Sequence, residues 1–524
     1  MFYERLSALD ASFVAIEDVN THMHVAAALI FDAGPLGTVE GGLDMERIRS
    51  YIGSRLHLIQ RYRQRLAYTP LERHPVWIDD DRFNLFYHVR HTSLPRPGSE
   101  RQLKRLCGRI LSQKLDLTKP LWEIWVVEGL SDNRFALVAK VHHCMVDGVS
   151  GIDLLTLLLT PTETATVEPS PPWEPRRAPN RAELFAGELR RRADMPFTVL
   201  RSVRRSLADP ETAWETIREK VDVFAEFFSE AAVSAPEMPI NPPQIGPHRR
   251  FDWVRLDLGR VKEVKNQLGG TINDVILASV VGAMRRYLAG RGVSPSPLDF
   301  RVLIPVNIRS QDQQGALGNR VAQMVAPLPL GEDQPRRIHQ RVVETTQAIK
   351  HSHQVEATEM IEEFSDWTAT AVLTQLVRFA AKRRPYNLVV TNVPGPPVPL
   401  YLLGARLLHS YPMVPLFSNQ ALGIALFSYA NGLYWGINAD WDALPDVHDF
   451  VDAVERGFQD LYAAAIAARD SRRPARAPRS AASRRIMPSR DTRAHNEAVA
   501  GADSPPLCAV EVHAAAADAQ TVRR

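Results

Sequence analysis

Continuous apolar runs and helical apolar stripes alternate along the first third of this 524-residue chain. A helix is predicted over residues 99–114, because its apolar positions fall on one face and Ser99 and Gln102 are spaced as a capping box. Three continuous apolar runs are typical of buried strands, and they cover residues 25–31, 121–130 and 134–141. The pattern therefore predicts an α/β unit over residues 1–165, in which the last two runs form a hairpin.

A second α/β unit is predicted over residues 249–469. A helix is expected over residues 275–290, with Thr271 or Asn273 as its N-terminal cap. A closing helix is expected over residues 447–468, where the apolar positions again recur at helical spacing. The strand-like runs of this unit cover residues 302–308, 387–393, 422–429 and 432–438, the last two joined by an Asn-Gly turn. Both units combine strands with helices, so the predicted fold class is α/β.

Two further segments lack this periodicity. Residues 166–248 contain Pro-rich stretches on either side of helical segments and are predicted to be a crossover linker, because proline cannot continue a helix. Residues 470–524 are rich in Arg, Ala, Ser and Pro, and they are predicted to form a disordered basic tail.

Composition narrows the classes of function. The chain is 45% hydrophobic and 23% charged, and no apolar run reaches the roughly 18 residues of a membrane-spanning helix. The N-terminus has no signal-peptide pattern, so a cytoplasmic location is expected. The formal charge is +3, but residues 471–524 alone carry +5, so the rest is nearly neutral and nucleic acid is not an expected partner. The three cysteines have no zinc-site spacing, and no metal site is expected.

The strongest candidate chemistry is the segment HHCMVDG at residues 142–148, directly after the third apolar run. Histidine exchanges a proton near neutral pH, so a histidine held at a strand end can serve as a general base. Asp147 either orients a histidine, as the acid of a triad does, or supports the loop, and Gly148 permits a tight turn. Cys144 is either a nucleophile or a small core residue. The plainer alternative is a pair of hydrogen-bonded histidines without a catalytic role.

The spacing HHxxxDG is similar to the signature of coenzyme A-dependent acyltransferases. Further motifs narrow the resemblance to the bacterial wax ester synthase/diacylglycerol acyltransferase family, in the order of that family from residue 6 to about residue 445. The linker and the tail lie outside the resemblance. The matching segments are LSALDASF (6–13), PVWIDD (75–80), DLTKPLW (116–122), TIND (271–274), PVNIR (305–309), LGNR (317–320) and TNVPGP (391–396).

The resemblance implies two chloramphenicol-acetyltransferase-like domains, each a mixed sheet with helices, and an active-site channel between them. In this superfamily the second histidine of the motif is the general base, so His143 is expected to take that role and His142 to support it. The motif aspartate turns away from the base in the superfamily and pairs with an arginine. Asp147 is therefore expected to be structural, with Arg309 as the candidate partner, and Gly148 to form the turn.

The resemblance also implies two substrate-binding elements. Pro120, Leu121 and Trp122 correspond to the PLW element of the family, and Asn273 and Asp274 correspond to its ND element. Structural roles remain open for both, because Trp122 can be a core residue and an Asn-Asp pair can cap a helix. An asparagine near a thioester could instead donate to the developing oxyanion.

The implied reaction is the transfer of a fatty acyl group from acyl-CoA to diacylglycerol, which yields triacylglycerol without an acyl-enzyme and without a cofactor. Long-chain alcohols, which would yield wax esters, are the alternative acceptors. Two other classes stay open: a condensation-type enzyme that takes acyl groups from a carrier protein, and a catalytically silent lipid-binding protein. Turnover by the purified protein separates these classes.

Arginine clusters within the linker, at residues 190–192 and 204–205, alternate with apolar residues. A solvated basic face is one interpretation. Because the implied substrates are lipids, peripheral contact with an anionic bilayer, such as the inner membrane, or with lipid inclusions is the other.

Overall fold

The computed structural model describes residues 3–145, 158–163, 166–206, 234–295, 298–307, 321–350 and 384–472. They belong to one compact unit, Met1–Arg473, and form two six-stranded sheets and one three-stranded sheet. The predicted tail starts inside the last helix, and the rest of it lies outside the described residues. Residues 207–233 of the predicted linker lie outside them as well.

The N-terminal part supplies strands to the first large sheet and the whole of the small sheet. Its strands are β1 (Glu4–Arg5), β2 (His24–Asp32), β3 (Gln64–Tyr68), β4 (Pro75–Asp79), β5 (Val89–Ser93), β6 (Trp122–Leu130) and β7 (Arg134–His142). Its α-helices are α1 (Ala8–Ile16), α2 (Met45–Arg55), α3 (Leu85–His88) and α4 (Glu100–Leu111). Single 3₁₀ turns cover Gly34–Leu36, Leu56–Leu58, Gln60–Arg63 and His143–Met145. The three strands predicted for this part are confirmed.

The first large sheet has the strand order β12-β13-β2-β7-β6-β5, with β12 and β13 contributed from late in the chain. Its centre is antiparallel, and the register places His24 opposite His142. Strand β5 pairs with β6 in parallel, so the sheet is mixed, as predicted. Helix α4 begins at a capping box in which Ser99 Oγ accepts from the Gln102 N–H and Gln102 Oε1 accepts from the Ser99 N–H, which confirms the predicted start.

The remaining elements follow the predicted linker or lie within it. They are α5 (Arg181–Ser206), β8 (Arg249–Asp257), α6 (Leu258–Leu268), α7 (Ile272–Gly290), β9 (Phe300–Asn307), β10 (Val321–Leu328), α8 (Pro335–Lys350), β11 (Leu388–Pro394), β12 (Tyr401–Leu402), β13 (Ala405–Met413), β14 (Leu422–Tyr429), β15 (Gly432–Asp440) and α9 (Val447–Arg472). The second large sheet has the order β10-β9-β11-β14-β15-β8, and β11 pairs in parallel with both of its neighbours.

Helix α7 is the centre of the second core. Every residue from Val275 to Met284 is buried, which requires packing on all sides of the helix, and α7 contacts α6, α8 and α9. The backbones of α7 and α9 approach closely at two glycines, since a Cβ added to Gly282 would lie 3.2 Å from the Cα of Gly457. Of the two predicted caps, Thr271 is the observed one, so the helix begins at Ile272, three residues before the predicted range of 275–290.

One strand exchange joins the two large sheets. After β11 the chain leaves the second sheet, places β13 beside β2 of the first sheet, and returns to the second sheet at β14. Where the sheets meet, the backbone of Gly436 in β15 lies so close to the Pro412 carbonyl of β13 that no Cβ could be accommodated. The predicted boundaries did not include this exchange.

Candidate active site

The two motif histidines lie where β7 ends and a 3₁₀ turn begins. The His142 N–H donates to the carbonyl of Leu121 (2.9 Å), and the His143 N–H donates to the carbonyl of Met23 (2.7 Å). The backbone at both histidines is therefore fixed by hydrogen bonds to other segments. Asp147, Gly148 and Arg309 lie outside the described residues.

His143 packs against an aromatic ring of α1. The centroids of the Phe13 and His143 rings are 4.1 Å apart, and the rings are tilted by 37°. Burial, followed by the neighbouring His142, lowers the pKa of His143 to about 4. Within the described part of the chain, Nδ1 of His143 is buried without a hydrogen-bond partner. The imidazole is therefore neutral at physiological pH and able to accept a proton.

His142 belongs to a buried charge cluster around Glu17. Oε2 of Glu17 lies 3.2 Å from Nε2 of His142 and accepts a hydrogen bond from the Met23 N–H (3.1 Å), and Oε1 lies 3.1 Å from Nζ of Lys114. Nε2 of His24 is 3.7 Å from the same carboxylate, whose side chain is only 1% exposed. Burial by itself would raise the pKa of Glu17, but His142 and then Lys114 lower it overall.

This cluster fixes the tautomer of His142. Nδ1 accepts a hydrogen bond from the Cys144 N–H (3.1 Å), so the proton resides on Nε2, which faces Glu17. His142 thereby ties the end of β7 to the turn that carries His143. Cys144 is buried, and burial raises the pKa of its thiol well above the ordinary value, which favours a core role over a nucleophilic one.

Sequence reasoning did not identify Glu17 or Phe13 as site residues. One local signal was present for Glu17: it is the C-terminal cap of α1, where a carboxylate opposes the helix dipole. An acid in that position is stabilised by a cationic or hydrogen-bonding partner elsewhere in the fold. The register of β2 with β7 places that partner, and register is not visible in a local pattern.

The three residues of the PLW element are buried at the start of β6, beside the histidine strand β7 in the same sheet. The Leu121 carbonyl accepts the His142 N–H, and Trp122 donates its indole N–H to the Tyr62 carbonyl (2.8 Å). Trp122 is 1% exposed, and its ring stacks on His88 at 4.6 Å. These contacts are those of core residues that support β7, and Pro120 is buried with them.

The two residues of the ND element face different partners. Asp274 completes a capping box with Thr271 and also accepts from Thr346 Oγ1 (2.7 Å), so its carboxylate is occupied by structural hydrogen bonds. The side-chain oxygen of Asn273 accepts from Nδ2 of Asn392 (2.8 Å). Asn392 lies in the TNVPGP segment, and it too was missed as a partner.

A cavity of about 560 Å³ opens beside Met145, two residues beyond His143. Its wall includes Tyr62, Arg61 and Arg176. A volume of this size is within the usual range of small-molecule sites. Among the described residues no group of three His, Cys, Asp or Glu side chains could hold a metal ion.

Comparison with a solved structure identifies the class of fold. The chain is similar in structure to the starter condensation domain of rhizomide synthetase, with a TM-score of 0.55 at 11% identity, covering 89% of this chain and 95% of that one. At that identity the likeness concerns the fold, which is the two-domain, chloramphenicol-acetyltransferase-like fold that the sequence predicts. The predicted fold class is therefore confirmed.

The family follows from closer matches. Residues 6–276 match the wax ester synthase/diacylglycerol acyltransferase catalytic domain, and residues 317–462 match the C-terminal domain of the same family. The chain belongs to this family, as the resemblance predicted. The predicted enzyme class, an acyltransferase of this type, is confirmed with it.

Individual relatives agree with that assignment. A putative diacylglycerol O-acyltransferase of Mycobacterium tuberculosis is 33% identical over 467 residues, covering 87% of this chain and 90% of the relative. The O-acyltransferase WSD of Acinetobacter baylyi is 32% identical over 390 residues, covering 73% and 82%. The wax ester synthase/diacylglycerol acyltransferase of Marinobacter aquaeolei VT8 superposes with a TM-score of 0.62 at 26% identity, covering 88% of this chain and 99% of that one.

Proposed function

We propose that this acyltransferase transfers a fatty acyl group from acyl-CoA to the free hydroxyl of diacylglycerol, with His143 as the general base. The observation that carries the proposal is the placement of His143. Its backbone is bonded to Met23, its ring is covered by Phe13, and its lowered pKa keeps the imidazole neutral. A neutral, fixed imidazole is the form that can accept a proton from an attacking alcohol.

The reaction then needs one direct displacement. His143 accepts the hydroxyl proton of the acceptor as the hydroxyl oxygen attacks the thioester carbonyl carbon. The carbon–sulfur bond breaks as the carbonyl re-forms, and the imidazolium returns its proton to the departing coenzyme A sulfur. The lowered pKa of His143 assists this last transfer, because a weakly basic imidazole gives up its proton readily.

Long-chain alcohols are the second candidate acceptors. The Acinetobacter baylyi relative bears the general name O-acyltransferase, and the Marinobacter aquaeolei relative is named for both products. Diacylglycerol and a fatty alcohol each present one hydroxyl on a long apolar body, so the same base can serve both. The Mycobacterium tuberculosis relative, named for diacylglycerol alone, favours diacylglycerol as the principal acceptor.

The test is coenzyme A release by the purified protein from palmitoyl-CoA, with dipalmitoylglycerol and hexadecanol supplied separately. We expect faster release with dipalmitoylglycerol and loss of about 10² to 10⁴-fold in His143→Ala, the usual contribution of a general base. His57→Ala is the matched control, because His57 is an exposed histidine of the same domain. Near-normal turnover in His143→Ala would refute the mechanism. Silence of the wild type with both acceptors would favour a different acceptor or the lipid-binding alternative.

A further inference from the structure

The first half of helix α5 is anchored to the small sheet along one side. Leu184 packs with Val76 and Ile78 in a small apolar cluster. The buried carboxylate of Glu188 accepts hydrogen bonds from the backbone N–H groups of Leu71 (3.0 Å) and Glu72 (2.7 Å), in the turn between β3 and β4. The helix and this turn therefore form one fixed surface.

Another side of the same helix is apolar and exposed. Phe185 is 43% exposed and Leu189 is 54% exposed, and they are one helical turn apart. At 100° per residue, these two side chains and three exposed alanines share one sector of about 100°. The alanines are Ala182, Ala186 and Ala193. Leu71, in the adjoining turn, is also exposed (47%). Two large apolar side chains exposed next to each other on one helix make this surface a candidate interaction site.

Arginines border this apolar stripe on both sides. Arg181 and Arg192 lie along one edge of the stripe, and Arg190 lies along the other, with all three exposed. Arg73 extends the positive charge into the adjoining turn, where it too is exposed. We call this surface the arginine-flanked face. It consists of the exposed apolar residues of α5, Leu71 and these four arginines.

The acidic side chains around this face already have partners. Glu72 forms ion pairs with Arg5 (2.9 Å), Arg191 (3.0 Å) and Arg192 (3.3 Å), and Glu183 pairs with Arg177. The net charge of the face is therefore positive toward an approaching partner. An apolar stripe with cationic borders is the pattern of helices that lie in the interface of an anionic bilayer.

We infer that the arginine-flanked face seats on an anionic phospholipid bilayer, with Phe185 and Leu189 inserted among the headgroups. The choice of partner follows from charge complementarity and rests on the proposed function in one respect: a diacylglycerol acceptor resides in lipid. In the described part of the chain, no helix is both long and apolar enough to traverse a bilayer. Contact of this kind is shallow and depends on the lipid charge.

The experiment is cosedimentation of the full chain with phosphatidylcholine vesicles that contain or lack phosphatidylglycerol. We expect binding only to the anionic vesicles, weakened by salt. Arg181→Glu with Arg190→Glu should lower partitioning by about 25-fold or more, since each arginine near the surface contributes about fivefold. Phe185→Ser with Leu189→Ser should lower it by roughly tenfold, because the lost apolar contact no longer favours insertion.

Matched control variants distinguish binding through this face from nonspecific adsorption to vesicles. Phe86→Ser removes another exposed aromatic side chain (68% exposed), and Arg341→Glu with Arg456→Glu reverses two exposed arginines elsewhere. Both control variants should bind the anionic vesicles like the wild type. Circular dichroism verifies that every variant is folded.

Three outcomes would overturn the inference: no binding by the wild type, binding that the face variants leave unchanged, or equal losses in the control variants. Vesicle binding does not require turnover, so His143→Ala should still bind. If His143→Ala binds and keeps its activity, the proposed mechanism fails while the membrane face stands. If wild-type turnover is normal and vesicles are not bound, the membrane face fails while the mechanism stands.

Discussion

The buried carboxylate of Glu17 offers the sharpest test of how the site is held together. Replacement by alanine leaves the buried N–H donor of Met23 without its acceptor and removes the carboxylate that lies 3.2 Å from Nε2 of His142. Lys114 is also left without its partner, but it is 37% exposed and can turn to water. Glu17→Gln keeps the size of the side chain and one acceptor oxygen and removes only the charge.

The expected cost follows from these contacts. A buried donor left unsatisfied costs about 1–3 kcal/mol, and the carboxylate contacts with His142 and Lys114 are lost with it. We therefore expect Glu17→Ala to lower the free energy of unfolding by about 2–4 kcal/mol and Glu17→Gln by about 1–2 kcal/mol. Because His142 orients the turn that carries His143, kcat should also fall roughly 10- to 100-fold.

The matched control is Glu128→Gln in β6. Glu128 also accepts a backbone hydrogen bond, from the Leu43 N–H (3.1 Å), and also lies beside a histidine, His91 (3.3 Å). Its side chain is 22% exposed rather than 1%, so solvent screens the pair and the change should cost less than about 1 kcal/mol. Urea unfolding monitored by tryptophan fluorescence measures both free energies, and coenzyme A release measures kcat.

The pH dependence of the free energy of unfolding gives a second, independent comparison of wild type with Glu17→Gln. The folded-state pKa of Glu17 lies below the ordinary carboxyl value of 4.5, so its ionised form stabilises the fold above that pH. The stabilisation is lost as the pH falls through the folded pKa. The difference in the free energy of unfolding between wild type and Glu17→Gln should therefore be largest near pH 7 and should decrease below about pH 4.5. The reasoning would be refuted if Glu17→Gln lost no more free energy of unfolding than Glu128→Gln, or if its loss did not change with pH.

Two further changes probe the environment of His143 and the contact between the two large sheets. Phe13→Ala should move the acidic limb of the kcat profile upward from about pH 4 toward the ordinary histidine value of 6.5, because His143 becomes hydrated; Phe13→Leu should move it less. Gly436→Ala should lower the free energy of unfolding by roughly 3 kcal/mol, because a Cβ would collide with the Pro412 carbonyl, whereas Gly290→Ala, with open space around it, should not destabilise. An unshifted limb, or equal melting temperatures for the two glycine variants, would contradict these expectations.

Local pattern predicted the elements well, because their signals lie within a few residues. The capping boxes at Ser99 and Thr271 mark the true starts of α4 and α7, and the apolar run before His142 is the strand β7. The strand exchange by β13 was missed for a physical reason. An apolar strand can satisfy its hydrogen bonds in either sheet, and the choice depends on packing far away in the chain.

The site residues also divide into those with a local sequence signal and those that depend on contacts between distant segments. The histidine motif was visible because both residues and their strand are adjacent in sequence. Glu17 was not visible, because it meets His142 only after β2 pairs with β7 and brings residues 125 positions apart together. Asn392 was missed for the same reason, since its partner Asn273 is 119 positions away in the sequence.

The described family motifs in this chain make structural contacts around His143 and at the start of α7. The Leu121 carbonyl fixes the backbone of His142, Asp274 caps α7, and the helix that follows Leu6 carries Phe13 onto the His143 ring. Under the proposed mechanism, such residues position His143 and do not distinguish one acceptor alcohol from another. The choice between diacylglycerol and a fatty alcohol must then arise from side chains that line the approach to His143. Substitutions in the cavity beside Met145 should accordingly shift the ratio of the two acceptor rates, whereas substitutions in the motifs should lower both rates together.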